Sequence, residues 1–155
     1  MKKYNIIIIT ALLIFFGCSM ANPVFITNDT ESACTVVVKL NSEGANQLQF
    51  VRDDGSKISR SDFPKLSNGK NDDTRNNIKF DKKTDYKIKN NTIEINIPAK
   101  NSVRFSERIL EPSQIDSIYF RYNDLQFAIS HTEFIKSSEK PRGSRHGYLY
   151  IFKGK

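Results

Sequence analysis

Strict alternation of apolar and polar positions runs through much of this chain. In TIEINI, residues 92–97, Ile93, Ile95 and Ile97 fall on one side, and Thr92, Glu94 and Asn96 on the other. SIYFRY groups Ile118, Phe120 and Tyr122, and LQFAI groups Leu125, Phe127 and Ile129. A period of two is the signature of a strand with one buried face. CTVVVKL sets Cys34, Val36, Val38 and Leu40 together. GYLYIF is apolar on both faces, with Tyr148, Tyr150 and Phe152 on one and Leu149 and Ile151 on the other. Such a strand is expected to be covered on both sides.

Turn chemistry can be tested against these faces. Asn123-Asp124 suits a two-residue hairpin, because both residues tolerate positive φ. That turn pairs Tyr122 with Leu125, Phe120 with Phe127 and Ile118 with Ile129, so all six share a face. Asn90-Asn91 likewise pairs Ile88 with Ile93, Tyr86 with Ile95 and Lys87 with Glu94. A third candidate, Asp54-Gly55, joins Val51 to Ile58 but sets Arg52 opposite Lys57. With further strands at VFIT, LQFVR, IKF and SVRFSERI, the count reaches about eight to ten short strands with polar turns between them. The expected fold is all-β, an antiparallel β-sandwich of immunoglobulin-like or transthyretin-like outline with little helix. Residues 110–117, LEPSQIDS, suit one helical turn starting at Pro112 and Ser113, or a loop crossing between sheets. Residues 59–77 are polar and read as a long surface loop, anchored by the apolar island Phe63, Pro64 and Leu66 or presented for binding.

The N-terminus follows a different rule. Lys2 and Lys3 precede an apolar stretch, residues 6–16, broken by Thr10 alone. This is about half the ~20 residues a spanning helix needs. A basic start, a short apolar centre and small residues after it describe a secretory signal. Phe15-Phe16-Gly17-Cys18 resembles the lipobox of bacterial lipoproteins. In that family a small residue precedes the cysteine, a diacylglycerol thioether forms on its sulfur, and cleavage falls just before it. Gly17 and Cys18 match, while Phe15 stands where the family usually has leucine. The resemblance implies lipid attachment at Cys18, a signal peptide at 1–17, a tether at 18–23 and one sandwich domain at 24–155. Ser19, in place of the aspartate of an inner-membrane retention signal, implies an outer-membrane lipoprotein facing the periplasm. The rival is an ordinary signal-peptidase site, Ser19-Met20-Ala21, which would release a soluble periplasmic protein behind Ala21. Lipidation is favoured because Cys18 follows the apolar run directly.

Composition then narrows the chemistry. Only two cysteines exist, so removal or acylation of Cys18 leaves Cys34 alone and excludes a disulfide framework. Cys34 itself reads as a small buried hydrophobe. The formal charge is +7, reduced when Lys2 and Lys3 leave with the signal. A mildly basic exported domain suits anionic lipid or an acidic partner, not nucleic acid. The basic residues concentrate in residues 135–147, where Lys136, Lys140, Arg142, Arg145 and His146 accompany Pro141 and Gly143. This connection is a candidate contact for lipid phosphate or an acidic protein surface, and Phe63 and Leu66, in the separate 59–77 loop, are further candidate partner-binding residues.

Enzymatic patterns are sparse. His131 and His146 are the two histidines, and no His-x-x-x-His pair or nucleophile elbow occurs. In a strand, adjacent Ser130 and His131 would face opposite ways. Asp53-Asp54 and Asp72-Asp73 lack the spacing of a calcium loop and read as turns. The expectation is a non-enzyme with no metal and no cofactor beyond the diacylglycerol and N-acyl chain on Cys18. It would act as a membrane-anchored protein–protein interaction domain of the envelope. VVVKL followed by DFPKL, with the strand order after NIPAKNSVRF, resembles the outer-membrane lipoprotein of type VI secretion systems over about half the chain. That resemblance implies a secretion-machine subunit. A periplasmic immunity lipoprotein neutralising a toxin, and a small-ligand carrier, are the alternatives.

Overall fold

The computed structural model describes residues 22–53, 64–67, 80–105, 110–141 and 147–154, by their backbone alone at 49–53, 66–67 and 80–83. Among them ten strands form two five-stranded sheets. The first sheet has the order β10-β1-β7-β3-β4, and the second β5-β6-β2-β8-β9. The strands are β1 (Val24–Asn28), β2 (Cys34–Leu40), β3 (Lys65–Ser67), β4 (Phe80–Lys83), β5 (Tyr86–Lys89), β6 (Thr92–Ile97), β7 (Asn101–Phe105), β8 (Ile115–Tyr122), β9 (Leu125–Ser130) and β10 (Tyr148–Phe152). Helices are few: α1 (Ser42–Asp53), α2 (His131–Ser137) and a 3-10 turn at Pro112–Gln114. The fold is a β-sandwich with little helix.

The inward faces are those the alternation marks. Val24, Ile26, Val103 and Phe105 of the first sheet are buried, as are Val36, Val38, Ile93, Ile95, Ile118 and Phe120 of the second. Aromatic rings close the space between them. Phe120 stacks on Phe152 at 4.5 Å and on Tyr150 at 5.4 Å between centroids, joining β8 to the edge strand β10. Phe134 of α2 packs against Tyr148 and Tyr150, each at 6.1 Å.

Both two-residue hairpins have the expected register. Tyr122 pairs with Leu125 and Ile118 with Ile129, and Asn123 and Asp124 both take positive φ. Tyr86 pairs with Ile95 and Lys87 with Glu94 around Asn90, whose φ is 51°.

Three readings need correction. LQFVR is not a strand, because it lies in α1. Asn41 caps that helix: its side chain accepts from the Gly44 N–H at 3.0 Å, and its carbonyl accepts from the Ala45 N–H. The Asp54-Gly55 hairpin lies outside the described residues, and its first arm is helical. Next, β10 pairs with β1 in parallel. An antiparallel hairpin cannot deliver it there; α2 carries the chain across from the second sheet to the first. Finally, residues 65–67 do not belong to a surface loop. They form β3, which pairs with β7 through Lys65–Arg104 and Leu66–Val103.

One end of the sandwich is stapled by a buried amide. The Asn28 side chain donates to the carbonyls of Ser32, Ile97 and Pro98, and accepts from the N–H and hydroxyl of Thr30. It thereby ties the β1–β2 turn to the β6–β7 turn. Nearby, Lys100 reaches Asp29 at 3.2 Å and Glu31 at 2.9 Å.

Candidate functional site

The two ends of the sandwich differ, and β1 defines the difference. It starts at Val24, opposite Phe105 and Tyr148, and runs toward the Asn28 staple. The chain therefore enters the fold at the end away from the staple, called here the entry pole. Pro23 is buried there, and its carbonyl accepts from the Tyr148 N–H at 3.0 Å.

The same pole receives both flanks of the basic connection. Gly147 has φ +123°, a backbone state that L side chains rarely adopt. A Cβ built on it would lie 3.0 Å from the Pro23 carbonyl oxygen and 3.4 Å from Pro141 Cγ. Pro23 and Pro141 thus crowd one glycine, and the connection opens and closes beside the point where the chain enters the fold. Lys140 is exposed at its start. Lys136 is also exposed, in the last turn of α2, where a cation complements the helix dipole. Arg142, Arg145 and His146 lie outside the described residues, as do Phe63 and Cys18. Leu66 is placed in β3 by its backbone alone. Of the residues marked in the sequence, only Lys136 and Lys140 are therefore brought to one region with described side chains.

Sequence reading overlooked a second cationic group at this pole. Backbone register sets Leu149, Phe25, Arg104, Lys65 and Lys83 opposite one another in a single rung across the first sheet. Val24, Ile26, Val103 and Phe105 point inward, so Phe25, Arg104, Lys65 and Leu149 lie on the outer face. Arg104 is exposed, Lys65, Phe25 and Leu149 are half-buried, and the Arg104 guanidinium stands 5.9 Å from the centre of the Phe25 ring. The signal was available in part: Arg104 sits at a polar position of NSVRF. Lys65 and Lys83 were unreadable as neighbours until β3 and β4 were placed.

The residues considered for chemistry are otherwise engaged. Ser130 caps α2, its hydroxyl 3.3 Å from the Glu133 N–H and 3.1 Å from that residue's carboxylate. His131 starts the helix instead of ending a strand, and its Nδ1 is buried without a hydrogen-bond partner. Cys34 is 0% exposed, and burial pushes its thiol up from 9.0 to about 11, against a smaller opposing effect of the Arg121 backbone. A thiol so placed is not a thiolate near neutral pH. Among the described residues no group of three His, Cys, Asp or Glu side chains could hold a metal ion, and no helix is long and apolar enough to cross a membrane.

No protein-family model, curated protein or solved structure matches this chain.

Proposed function

We propose that this chain is an exported lipoprotein, held at the envelope membrane through acylated Cys18, whose sandwich works by binding another protein. One observation carries the reading: Gly17-Cys18 directly follows the apolar run of residues 6–16, and β1 begins at Val24, a short tether away. Two or more acyl chains hold a protein firmly, whereas one holds only marginally, so the triple acylation of this lipoprotein class would keep the domain in place.

The interior supports binding by contact in preference to carriage of a small ligand. Phe105, Phe120, Phe134 and a set of isoleucines and leucines fill the space between the layers. The basic flank at Lys136 and Lys140 stands at the entry pole, so a partner met there lies close to the membrane. A secretion-machine subunit at the outer membrane fits this arrangement. An immunity protein is the second reading, favoured by the same cations if the partner is a toxin with an acidic cleft.

Replacement of Cys18 by serine tests the anchor. Cys18→Ser is expected to move the protein out of the detergent-dependent membrane fraction. An unchanged distribution between fractions counts against the proposal. Affinity capture from native envelopes with mass spectrometry then separates the two partner classes, since a secretion component and a toxin are recovered as different proteins.

A further inference from the structure

The two sheets have four edge strands, β10, β4, β5 and β9. An unpaired edge is a template for another strand unless charge or a cover blunts it. Glu139 covers β10 by exchanging two backbone hydrogen bonds with Leu149. β4 reads FDKK, and β5 exposes Lys87 and Lys89. Among the described residues, β9 alone has neither device. It reads LQFAIS, without a charge or a proline, and Gln126, Ala128 and Ser130 are exposed along it. Leu125 is 54% exposed, the one large apolar side chain among the described residues to stand so far out. Phe127 and Ile129 are half-buried.

The hairpin fixes which backbone groups face the free side. Tyr122 and Leu125 flank a two-residue turn whose residues both have positive φ, and residues so placed exchange hydrogen bonds with each other. Alternation then turns the N–H and C=O groups of Leu125, Phe127 and Ile129 toward β8, and those of Gln126, Ala128 and Ser130 outward. Ser130 agrees with this phase, because its N–H donates to the Glu133 carboxylate at 2.9 Å and not to β8. Neither Gln126 nor Ala128 makes a further backbone hydrogen bond among the described residues. The open template is therefore centred on Phe127, with Glu133 closing one end and the turn closing the other.

We propose that a second copy of this chain pairs with this edge, β9 to β9 and antiparallel, about a two-fold axis through Phe127. Setting Gln126 opposite Ala128 of the copy gives every open N–H and C=O a partner, about four bonds in all. The same register places Leu125 against Ile129 of the copy and Phe127 against its own counterpart, so the apolar face continues across the axis. A copy is the occupant because the open stretch is its own complement in this one register. An axis at Ala128 would set Gln126 against Ser130, whose N–H is engaged, and an axis at Gln126 would set Ala128 against the turn. Residues 125–129 hold no ionisable group, so two copies meet there without the like-charge repulsion that the lysines of β4 or β5 would impose. Both free edges are consumed, so the association closes at the dimer. The paired residues span about 17 Å of edge, a small contact that places this dimer among the weak ones. The assignment does not depend on acylation of Cys18.

Disulfide trapping tests the register. Full chains carrying Gln126→Cys and full chains carrying Ala128→Cys are mixed and mildly oxidised. Opposed residues of a hydrogen-bonded pair have Cα atoms ~5.5 Å apart, within disulfide range, whereas like positions would stand about 9 Å apart, outside it. The mixture is expected to give pairs linked between positions 126 and 128, identified by peptide mass, at about fivefold or more over either variant alone. Cys18 and Cys34 are common to every sample and cancel in the comparison. Sedimentation equilibrium in density-matched detergent tests the association itself, with the parent chain approaching twice the monomer mass at about 0.5 mM. Gln126→Lys with Ala128→Lys, both at exposed positions, sets like charges opposite each other and should keep the chain monomeric. Gln126→Glu with Ala128→Glu should do the same. An equal mixture of the two double variants should recover the dimer, which misfolded chains would not do. A parent chain still monomeric at ~0.5 mM, linkage in a single variant equal to that in the mixture, or a lysine variant that dimerises like the parent overturns the assignment. So does oxidation in native envelopes that joins position 126 to a different protein and not to position 128, which would give the edge to that protein's strand.

Discussion

Cys34 shows how one atom's surroundings decide its chemistry. It sits on the inward face of β2 among Val36, Val38 and Ile97, with no exposure, and its thiol hydrogen faces the Thr35 carbonyl at 3.8 Å. Burial disfavours the charged thiolate, so the folded pKa of about 11 exceeds the ordinary 9.0. The folded state therefore holds its proton where the unfolded chain has begun to lose it. Stability from this group is complete below pH 9.0 and is lost as pH rises through about 11. Cys34 should resist iodoacetamide near neutral pH in the folded protein and react once urea unfolds it. Comparing urea midpoints of the native chain and Cys34→Ala should show a steeper alkaline decline in the native chain. Rapid alkylation without denaturant would refute the burial argument.

Pairings across tight turns are legible in the sequence, and pairings across crossovers are not. The Asn123-Asp124 hairpin could be read because turn type fixes register, and register can be checked against the apolar faces. Its outcome, Phe120 opposite Phe127, needs no information from elsewhere in the chain. Helix α1 was missed because LQFVR was considered without Asn41, the cap seven residues earlier. Gly44 also lets this helix approach the 3-10 turn, since a Cβ there would meet Gln114 Cβ at 2.9 Å. α2 carries a reciprocal cap that the sequence displays as Ser130-x-x-Glu133. The Ser130 N–H donates to the Glu133 carboxylate at 2.9 Å while Ser130 Oγ faces the Glu133 N–H. Ser130→Ala should cost about 1 kcal/mol, measured by chemical denaturation. An unaltered midpoint would mean that Phe134 packing alone holds the helix. The candidate site was half legible for the same reason: a basic cluster contiguous in sequence can be seen, whereas a rung assembled from four connections cannot.

For the molecule as a whole, closure depends on contacts between distant parts of the chain. β10 completes the first sheet beside β1, and Phe152 stacks on Phe120 and meets Phe127 at a tilt and Tyr122 edge-on in the second. Folding must therefore bring late residues against early ones before the core is sealed, which makes for slow assembly. Phe152→Ala should cost about 3–5 kcal/mol, as large aromatic deletions from a core do. Leu125→Ala, at a side chain 54% exposed, should change stability little, within ~0.5 kcal/mol. Calorimetric melting of the two variants checks this contrast, and similar losses for both would deny Phe152 its sealing role. Glu139 guards the free side of β10 by exchanging two backbone hydrogen bonds with Leu149, at 2.8 and 2.9 Å, leaving that strand less open to edge-to-edge aggregation.

The parallel pairing of β1 and β10 also gives the molecule a polarity. Both strands run from the entry pole to the Asn28 staple, so that second pole is the one farther from the point where the chain enters the fold. Asp29, Glu31, Lys100, Asp124 and exposed Leu125 gather in its turns. A macromolecule approaching along the strands from that pole would meet this mixed-charge crown first, before it could reach the basic flank at the entry pole.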